Sequence, residues 1–255
     1  MTSQCPAAPW GWIRRHSFVV DFTPFVVGGS FRVMPDAAPN TLVLVPTEIE
    51  RRHLARQRGF GVDAPCELCG FGPVAAAARA RDAIAAHEPE RVVLVGIAGT
   101  FDPDGLPVGT AAVFPSVLMH GVGVGVASFV PAPALGFRHW PRSGGGEADG
   151  PEALALAHPV PPAAGPLLTV CTASATDAEA RERRALFPGA AAEDMEGFAV
   201  ALACRLAEVP VAIVRGISNA VGDRRFERWQ IPEALDAAWL VAADLLQRPA
   251  WSDTA

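Results

Sequence analysis

The sequence predicts an α/β protein, a three-layer sandwich of helices around a central mixed, mostly parallel sheet. Short apolar runs without polar alternation recur along the chain, which suits strands covered on both faces. Helical segments separate those runs, as crossovers between parallel strands require. The chain has 255 residues, 50% hydrophobic and 19% charged, enough to bury the core of one large domain or two small ones.

Residues 1–40 lie outside this alternation and read as an N-terminal extension. Arg14-Arg15 ahead of Phe18-Val19-Val20 has a twin-arginine look, but Asp21 breaks the apolar stretch and no small-residue cleavage site follows. Residues 41–247 read as a single domain, followed by a short tail at 248–255. Leu42-Val43-Leu44-Val45 is the first strand, and Thr47 opens a helix to about Arg58. Cys66 and Cys69 mark a short strand, and Pro73, suited to a first helical turn, begins an Ala-rich helix to about His87. Val92-Val93-Leu94-Val95 is a strand ended by Gly96 and Gly99. Ala111 to Leu118 reads as one strand, and the stretch from Pro131 to Pro166, with Gly144-Gly145-Gly146, as a long surface excursion. Leu167 to Cys171 is a strand, Thr176 to Phe187 a charged helix, and Ala190 to Ala192 a brief strand. Phe198 to Ala207 is an apolar helix, Val211 to Ile217 a β-branched strand, and Pro232 starts the last helix, to about Gln247.

The chain carries 27 acidic and 21 basic residues, a net charge of −6, and every basic residue is Arg. With no Lys and no basic stripe, it offers nucleic acid or an anionic membrane no electrostatic footprint. No run of about 18 uncharged apolar residues suggests a membrane span. Five Cys, an odd number, form no disulfide framework and favour a reducing, cytoplasmic compartment. The Cys66-x-x-Cys69 pair has no second pair, and none of the six His has HExxH spacing, so a zinc site is not expected.

In open α/β sheets, ligands bind beyond the carboxyl ends of the strands. There the sequence places Glu48 and Glu50, then Ala98-Gly99, then Glu193 to Glu196, and then Ser218-Asn219. These ends supply carboxylates, a glycine-rich backbone and an amide, with no Ser-His-Asp or Cys-His set and no P-loop lysine. Each has a structural alternative. Thr47-Glu48-Ile49-Glu50 matches a capping box, Glu196 could complement a helix N-terminus, and Asn219 suits a turn or cap. Gly96-Ile97-Ala98-Gly99 suits any strand-to-helix junction, and Gly121 to Gly125 lacks the GxGxxG spacing. Local pattern leaves these alternatives open.

Four stretches in order carry a resemblance: Gly70-Phe71-Gly72-Pro73-Val74-Ala75-Ala76, Val95-Gly96-Ile97-Ala98-Gly99, Glu193-Asp194-Met195-Glu196-Gly197 and Arg215-Gly216-Ile217-Ser218-Asn219. Over residues 41–247 the chain resembles the nucleoside phosphorylase and nucleosidase superfamily. Within it, Val45 to Glu50, Met195 to Ala201 and Arg215 to Asn219 are similar to the futalosine hydrolases. That resemblance implies hydrolysis of futalosine to dehypoxanthine futalosine and hypoxanthine, in menaquinone biosynthesis, by a cofactor-free homo-oligomer. It assigns Glu196 to the ribose hydroxyls, beside the developing oxocarbenium charge, and Met195 to an apolar wall against the sugar. It gives Glu50 the attacking water, and places Ile97, Ala98 and Gly99 against the substrate.

Asn219 departs from the methylthioadenosine/S-adenosylhomocysteine nucleosidases, which resemble the chain over the same segments and hold an Asp there to protonate adenine. An amide cannot be that acid, but it can donate to N7 and O6 of a 6-oxopurine, so Asn219 implies hypoxanthine. A phosphorylase would need Arg, Ser or a Gly-rich nest for phosphate. Cys69 to Val74 holds no Arg or Ser, and Arg51 and Arg52 read as solvated helix residues, so water is the expected nucleophile. The competing readings are an adenine nucleosidase, a purine nucleoside phosphorylase and a nucleoside sensor without turnover. The joint presence of Glu50, Glu196 and Asn219 speaks against the sensor. For futalosine's benzoate-bearing arm the candidates are Phe129, Phe137, Arg138 and His139, with an apolar cluster or subunit contact as the alternative. Thr172, Ser174 and Thr176 flank a strand end and would either touch the base or cap a helix.

Overall fold

Strand β1 (Thr41–Val45) sets the layer order, because its alternate residues bury in opposite directions. Leu42 and Leu44 enter one apolar cluster with Val92, Leu94, Ala76, Ala80 and Ile84. Val43 and Val45 enter another with Val93, Val95, Leu235, Ala238 and Trp239. An unbroken apolar run is therefore what a strand between two helical layers needs, and each fully buried Leu or Val adds about 1.5–3 kcal/mol. The computed structural model describes residues 39–61, 64–125, 129–137, 139, 152–249 and 251. Nearly all of the N-terminal extension, with Arg14-Arg15, lies outside the described residues, as do Arg138 and Gly144-Gly145-Gly146.

After β1 come helix α1 (Glu48–Leu54), strand β2 (Cys66–Leu68), helix α2 (Pro73–His87) and strand β3 (Arg91–Thr100). Strands β4 (Ala111–Val113), β5 (Ser116–His120), β6 (Gly123–Val124), β7 (Val130–Pro131), β8 (Leu154–Ala155) and β9 (Leu167–Val170) follow. The chain continues through helix α3 (Asp177–Leu186), strand β10 (Ala192–Asp194), helix α4 (Gly197–Leu206), strand β11 (Val211–Ala220) and helix α5 (Ile231–Gln247). The main sheet runs β2-β1-β3-β10-β9-β5-β8, and β11 pairs with β3 and β4. Neighbours are parallel except where β3 meets β10, β11 meets β4 and β5 meets β8. Helices α2 and α4 cover one face and α5 the other. The sheet is thus mixed and mostly parallel, as expected.

Several boundaries differ from the sequence reading, each for a local reason. Helix α1 stops at Leu54, because Arg56 and Gln57 donate to the carbonyls of His53 and Leu54 in tighter turns. The single strand expected from Ala111 to Leu118 is two: the chain breaks at Phe114-Pro115, where Pro has no N–H for a ladder. The halves then pair with different strands, β4 with β11 and β5 with β9. The brief strand expected at Ala190–Ala192 begins at Ala192, since the Ala190 amide closes a turn on Phe187 O. The stretch from Pro131 to Pro166 is not all surface: Leu154 and Leu156 are buried, and β8 forms a sheet edge.

Among the described residues no helix is long and apolar enough to cross a membrane. Cys66 lies in β2 with Cys69 just beyond, and burial pushes their thiols up to about 11 and about 12. Among the described residues no group of three or more His, Cys, Asp or Glu side chains is arranged to hold a metal ion.

Candidate active site

Strand β3 does not end at its glycines. Its first half lies between β1 and β11, while at Gly99 and Thr100 the edge left by β1 is taken by β10. Between those partners the edge is open, and there the Ile97 amide donates to Glu50 Oε1 at 3.1 Å. A side chain from α1 thus completes the ladder where no strand does.

Glu50 holds three donors. Its Oε2 accepts from the Thr47 amide (3.0 Å) and the Thr47 hydroxyl (2.6 Å), besides the Ile97 contact on Oε1. The capping box is therefore present, with Thr47 Oγ1 accepting from the Glu50 amide. Capping and exposure to the cleft coexist: Glu50 is 6% exposed and still lines the cavity. Burial raises its pKa, against the Thr47 hydroxyl and the positive charge of Arg215. Glu48, the neighbouring carboxylate, turns outward to Arg51 and Arg52 and does not line the cavity.

Arg215 organises the second carboxylate. It stands on β11 opposite Gly96 of β3, fully buried, and its guanidinium passes over the glycine. A Cβ on Gly96 would lie 2.2 Å from Arg215 Nη1 and 2.9 Å from Glu50 Oε1, so only hydrogen fits. Arg215 Nε and Nη2 donate to Asp194 Oδ2, and Nη2 lies 3.4 Å from Glu196 Oε2. Arg215 Nη1 is buried with no hydrogen-bond partner among the described residues.

Glu196 occupies the N-cap position of α4, yet caps nothing with its side chain. The first amides of that helix are satisfied elsewhere: Gly197 donates to Asp194 Oδ2 and Phe198 to Thr169 Oγ1. Glu196 is free to turn toward the cleft, where Oε1 accepts from the Gly72 amide at 3.0 Å. Burial first, and then the charges of Asp194 and Glu50, push its pKa up to about 7 against the pull of Arg215 and Gly72.

The end of β11 carries a bulge. Ile217 pairs with Ala98 and Asn219 with Gly99, leaving Ser218 as the extra residue. Asn219 is therefore on a strand rather than in a turn. Its Oδ1 accepts from Ser218 Oγ (2.8 Å) and its Nδ2 donates to Ala220 O (2.8 Å), which leaves one amide hydrogen uncommitted among the described residues. On the adjoining wall, buried Glu193 accepts from the Ser174 amide and hydroxyl and pairs with Arg183 at 2.7 Å.

These groups surround one cavity of about 340 Å³. Glu50, Glu196 and Asn219 all line it, and so do Ile97, Ala98, Gly99 and Met195. Ser174 lines it too, whereas Thr176 caps α3 and Thr172 is exposed outside it. Phe129 stacks on His120, His139 lies edge-on to Phe198, and Phe137 is exposed; none of the three lines the cavity. Sequence reading missed Phe71, Arg224, Phe226 and Trp229, which do. Arg224, Phe226 and Trp229 follow Asn219 within ten residues, and that proximity was the only signal of their place.

A paired-carboxylate cleft with a buried cation and a terminal amide can steady positive charge, polarise water and hold a heterocycle. The profile of the Phosphorylase superfamily matches residues 49–248. A futalosine hydrolase of Streptomyces coelicolor is 34% identical over 224 residues, 83% of this chain and 90% of that protein. Among solved structures, the methylthioadenosine/S-adenosylhomocysteine nucleosidase of Colwellia psychrerythraea, in complex with adenine, superposes with a TM-score of 0.68 at 21% identity, covering 85% of this chain and 99% of that one. The futalosine hydrolase of Helicobacter pylori gives 0.64 at 17% identity, covering 82% and 97%. Sequence and fold together place this chain in the phosphorylase superfamily.

Proposed function

We propose that the chain hydrolyses the N-glycosidic bond of futalosine, releasing hypoxanthine and dehypoxanthine futalosine. The observation that carries this reading is the meeting of Glu50, Glu196 and Asn219 in one cavity, each held by a different strand end or helix start. The whole-length likeness to the Streptomyces coelicolor futalosine hydrolase supports the choice of substrate.

In this reading the ribose lies against Met195, with its hydroxyls on Glu196. As the C1′–N9 bond lengthens, the sugar gains oxocarbenium character, and the buried Glu196 carboxylate offsets that charge. Glu50 takes a proton from the attacking water, whose oxygen bonds to C1′ while the electron pair of the broken bond leaves with the base. Arg215, buried behind Glu50 and Glu196, adds positive charge that favours their ionised forms. The free Nδ2 hydrogen of Asn219 meets O6 or N7 of hypoxanthine, an acceptor pair that adenine does not present. Water is favoured over phosphate because the Gly72 amide, which could have served an anion nest, is already spent on Glu196. We take the enzyme to be a homo-oligomer, as the family resemblance implies, and cytoplasmic, as its cysteine usage suggests; light scattering tests the assembly.

The test is incubation of the folded protein with futalosine in phosphate-free buffer. Free hypoxanthine is the expected product, at a rate that added phosphate leaves unchanged. Absence of base release overturns the reading, and ribosyl phosphate formation would convert it to phosphorolysis. A faster release of adenine from methylthioadenosine would favour the adenine nucleosidase.

A further inference from the structure

Two arginines stand near the cavity, but only Arg224 lines it, and they differ in what they hold. Arg215 is buried and engaged by Asp194 and Glu196. Arg224 is exposed in the loop after β11, and among the described residues it has neither a hydrogen bond nor an ion pair. Its neighbours show that a local carboxylate was available: Arg225 pairs with Asp223 at 2.8 Å, and Arg228 lies 3.7 Å from the same side chain. Arg224 instead lies over two aromatic rings, 5.2 Å from the centre of Phe226 and 5.0 Å from that of Trp229. Stacking on an aromatic face orients the guanidinium plane while leaving its N–H edge open for a carboxylate.

The loop is held in place. Trp229 Nε1 donates to Asp223 O (2.9 Å), and the Gln230 amide donates to Ser218 O (2.8 Å), tying the loop back beside Asn219. Around the same cavity stand three large apolar side chains that remain open to solvent, Ile49 (77% exposed), Phe71 (67%) and Phe226 (62%). An uncommitted cation among exposed apolar and aromatic surfaces matches a flat apolar group that ends in an anion.

We propose that Arg224 is a specificity-determining residue that binds a carboxylate on an aryl arm of the substrate, with Phe226, Trp229 and Phe71 packing the ring. The substrate class is then a purine nucleoside whose 5′ side carries a carboxyaryl group. This rests on the hydrolase reading above, since the benzoate arm of futalosine is the anion in question. It moves arm recognition away from Phe129, Phe137 and His139 to the loop directly after the asparagine.

The experiment compares futalosine with its carboxyl methyl ester on the wild type, Arg224→Met and Arg224→Lys. Hydrolysis is followed as hypoxanthine release, and binding by titration calorimetry in a Glu50→Gln background. Wild-type protein should prefer the acid. Arg224→Met should cut the acid-to-ester ratio of kcat/KM about 10- to 100-fold, chiefly through KM, and Arg224→Lys should retain part of it. Added salt should erode the wild-type preference, because the pair is exposed. A ratio unchanged in Arg224→Met, or equal losses on acid and ester, overturns the proposal, the second outcome marking a loop-packing role. Binding separates this from the reaction itself. Arg224-dependent preference without base release sinks the hydrolase reading alone; base release without that preference sinks the subsite alone. If futalosine is neither bound nor cleaved, both fall.

Discussion

Substituting Gln for Glu50 separates two functions that this carboxylate holds at once. Three donors converge on it: the Ile97 amide at 3.1 Å, the Thr47 amide at 3.0 Å and the Thr47 hydroxyl at 2.6 Å. Gln offers one acceptor oxygen and a donating NH₂ group. The hydroxyl can rotate to accept, but the two amides lie on opposite carboxylate oxygens, so one of them must face the NH₂ unpaired. A buried donor left unsatisfied costs about 1–3 kcal/mol, or roughly 2–12 °C in Tm for a domain of this size. Loss of a general base lowers the rate about 10²–10⁴-fold, which corresponds to about 3–5 kcal/mol on the barrier. Hypoxanthine release is measured well below the variant's Tm, alongside calorimetric binding of futalosine. Thr176→Ala is the control: it removes the N-cap of α3, outside the cavity, and should lower stability by about 1 kcal/mol with kcat retained. Binding should survive in Glu50→Gln while turnover collapses. A Tm loss with kcat within about tenfold of wild type would leave Glu50 a helix cap only, and the proposed chemistry would fail.

Burial pushes the Glu196 carboxyl up to about 7 in the folded state, from the ordinary glutamate value of 4.5. Its contribution to stability is therefore full below about 4.5 and lost as pH rises through about 7, so Tm should decline across that window and Glu196→Gln should flatten the decline. Activity should run the other way: kcat/KM for futalosine rises with pH as Glu50 and Glu196 ionise, and a profile flat from pH 5 to about 8 would contradict this. Gly96→Ala drives a methyl group to 2.2 Å from Arg215 Nη1. It should cost about 1–3 kcal/mol by denaturant unfolding, and about 10²-fold in kcat, through displacement of Glu50 and Arg215. Asn219→Asp should raise the ratio of kcat/KM for methylthioadenosine over futalosine about tenfold or more, read by parallel base-release assays; an unmoved ratio removes Asn219 from base selection.

The outline of the fold was open to a reader of the sequence, because burial on both faces leaves a mark that is local. Leu42 to Val45 and Val92 to Val95 are apolar at every position, and only a strand between two helical layers needs that. Pro73 and Thr176 likewise announce helix starts through chemistry within one turn. Where an element ends was harder to see. Gly96 and Gly99 look like terminators, yet β3 runs through them, because the reason for Gly96 is a guanidinium arriving from β11, a strand well over a hundred residues later.

The same divide runs through the cavity. Composition and local pattern supplied the carboxylates and the amide, and resemblance supplied the roles for Glu50, Glu196 and Asn219, but nothing within a few residues could choose cap or cleft. Tertiary contacts chose. Asp194 and Thr169 satisfy the α4 amides and release Glu196 toward Gly72, while the open edge of β3 draws Glu50 to Ile97. Arg224 was invisible for a related reason: its significance lies in having no ion pair among the described residues and in the rings it rests on. Periodicity reports what a residue must be to sit in its own element. Which partners hold a polar group, and so which way it points, is decided only when distant strands meet.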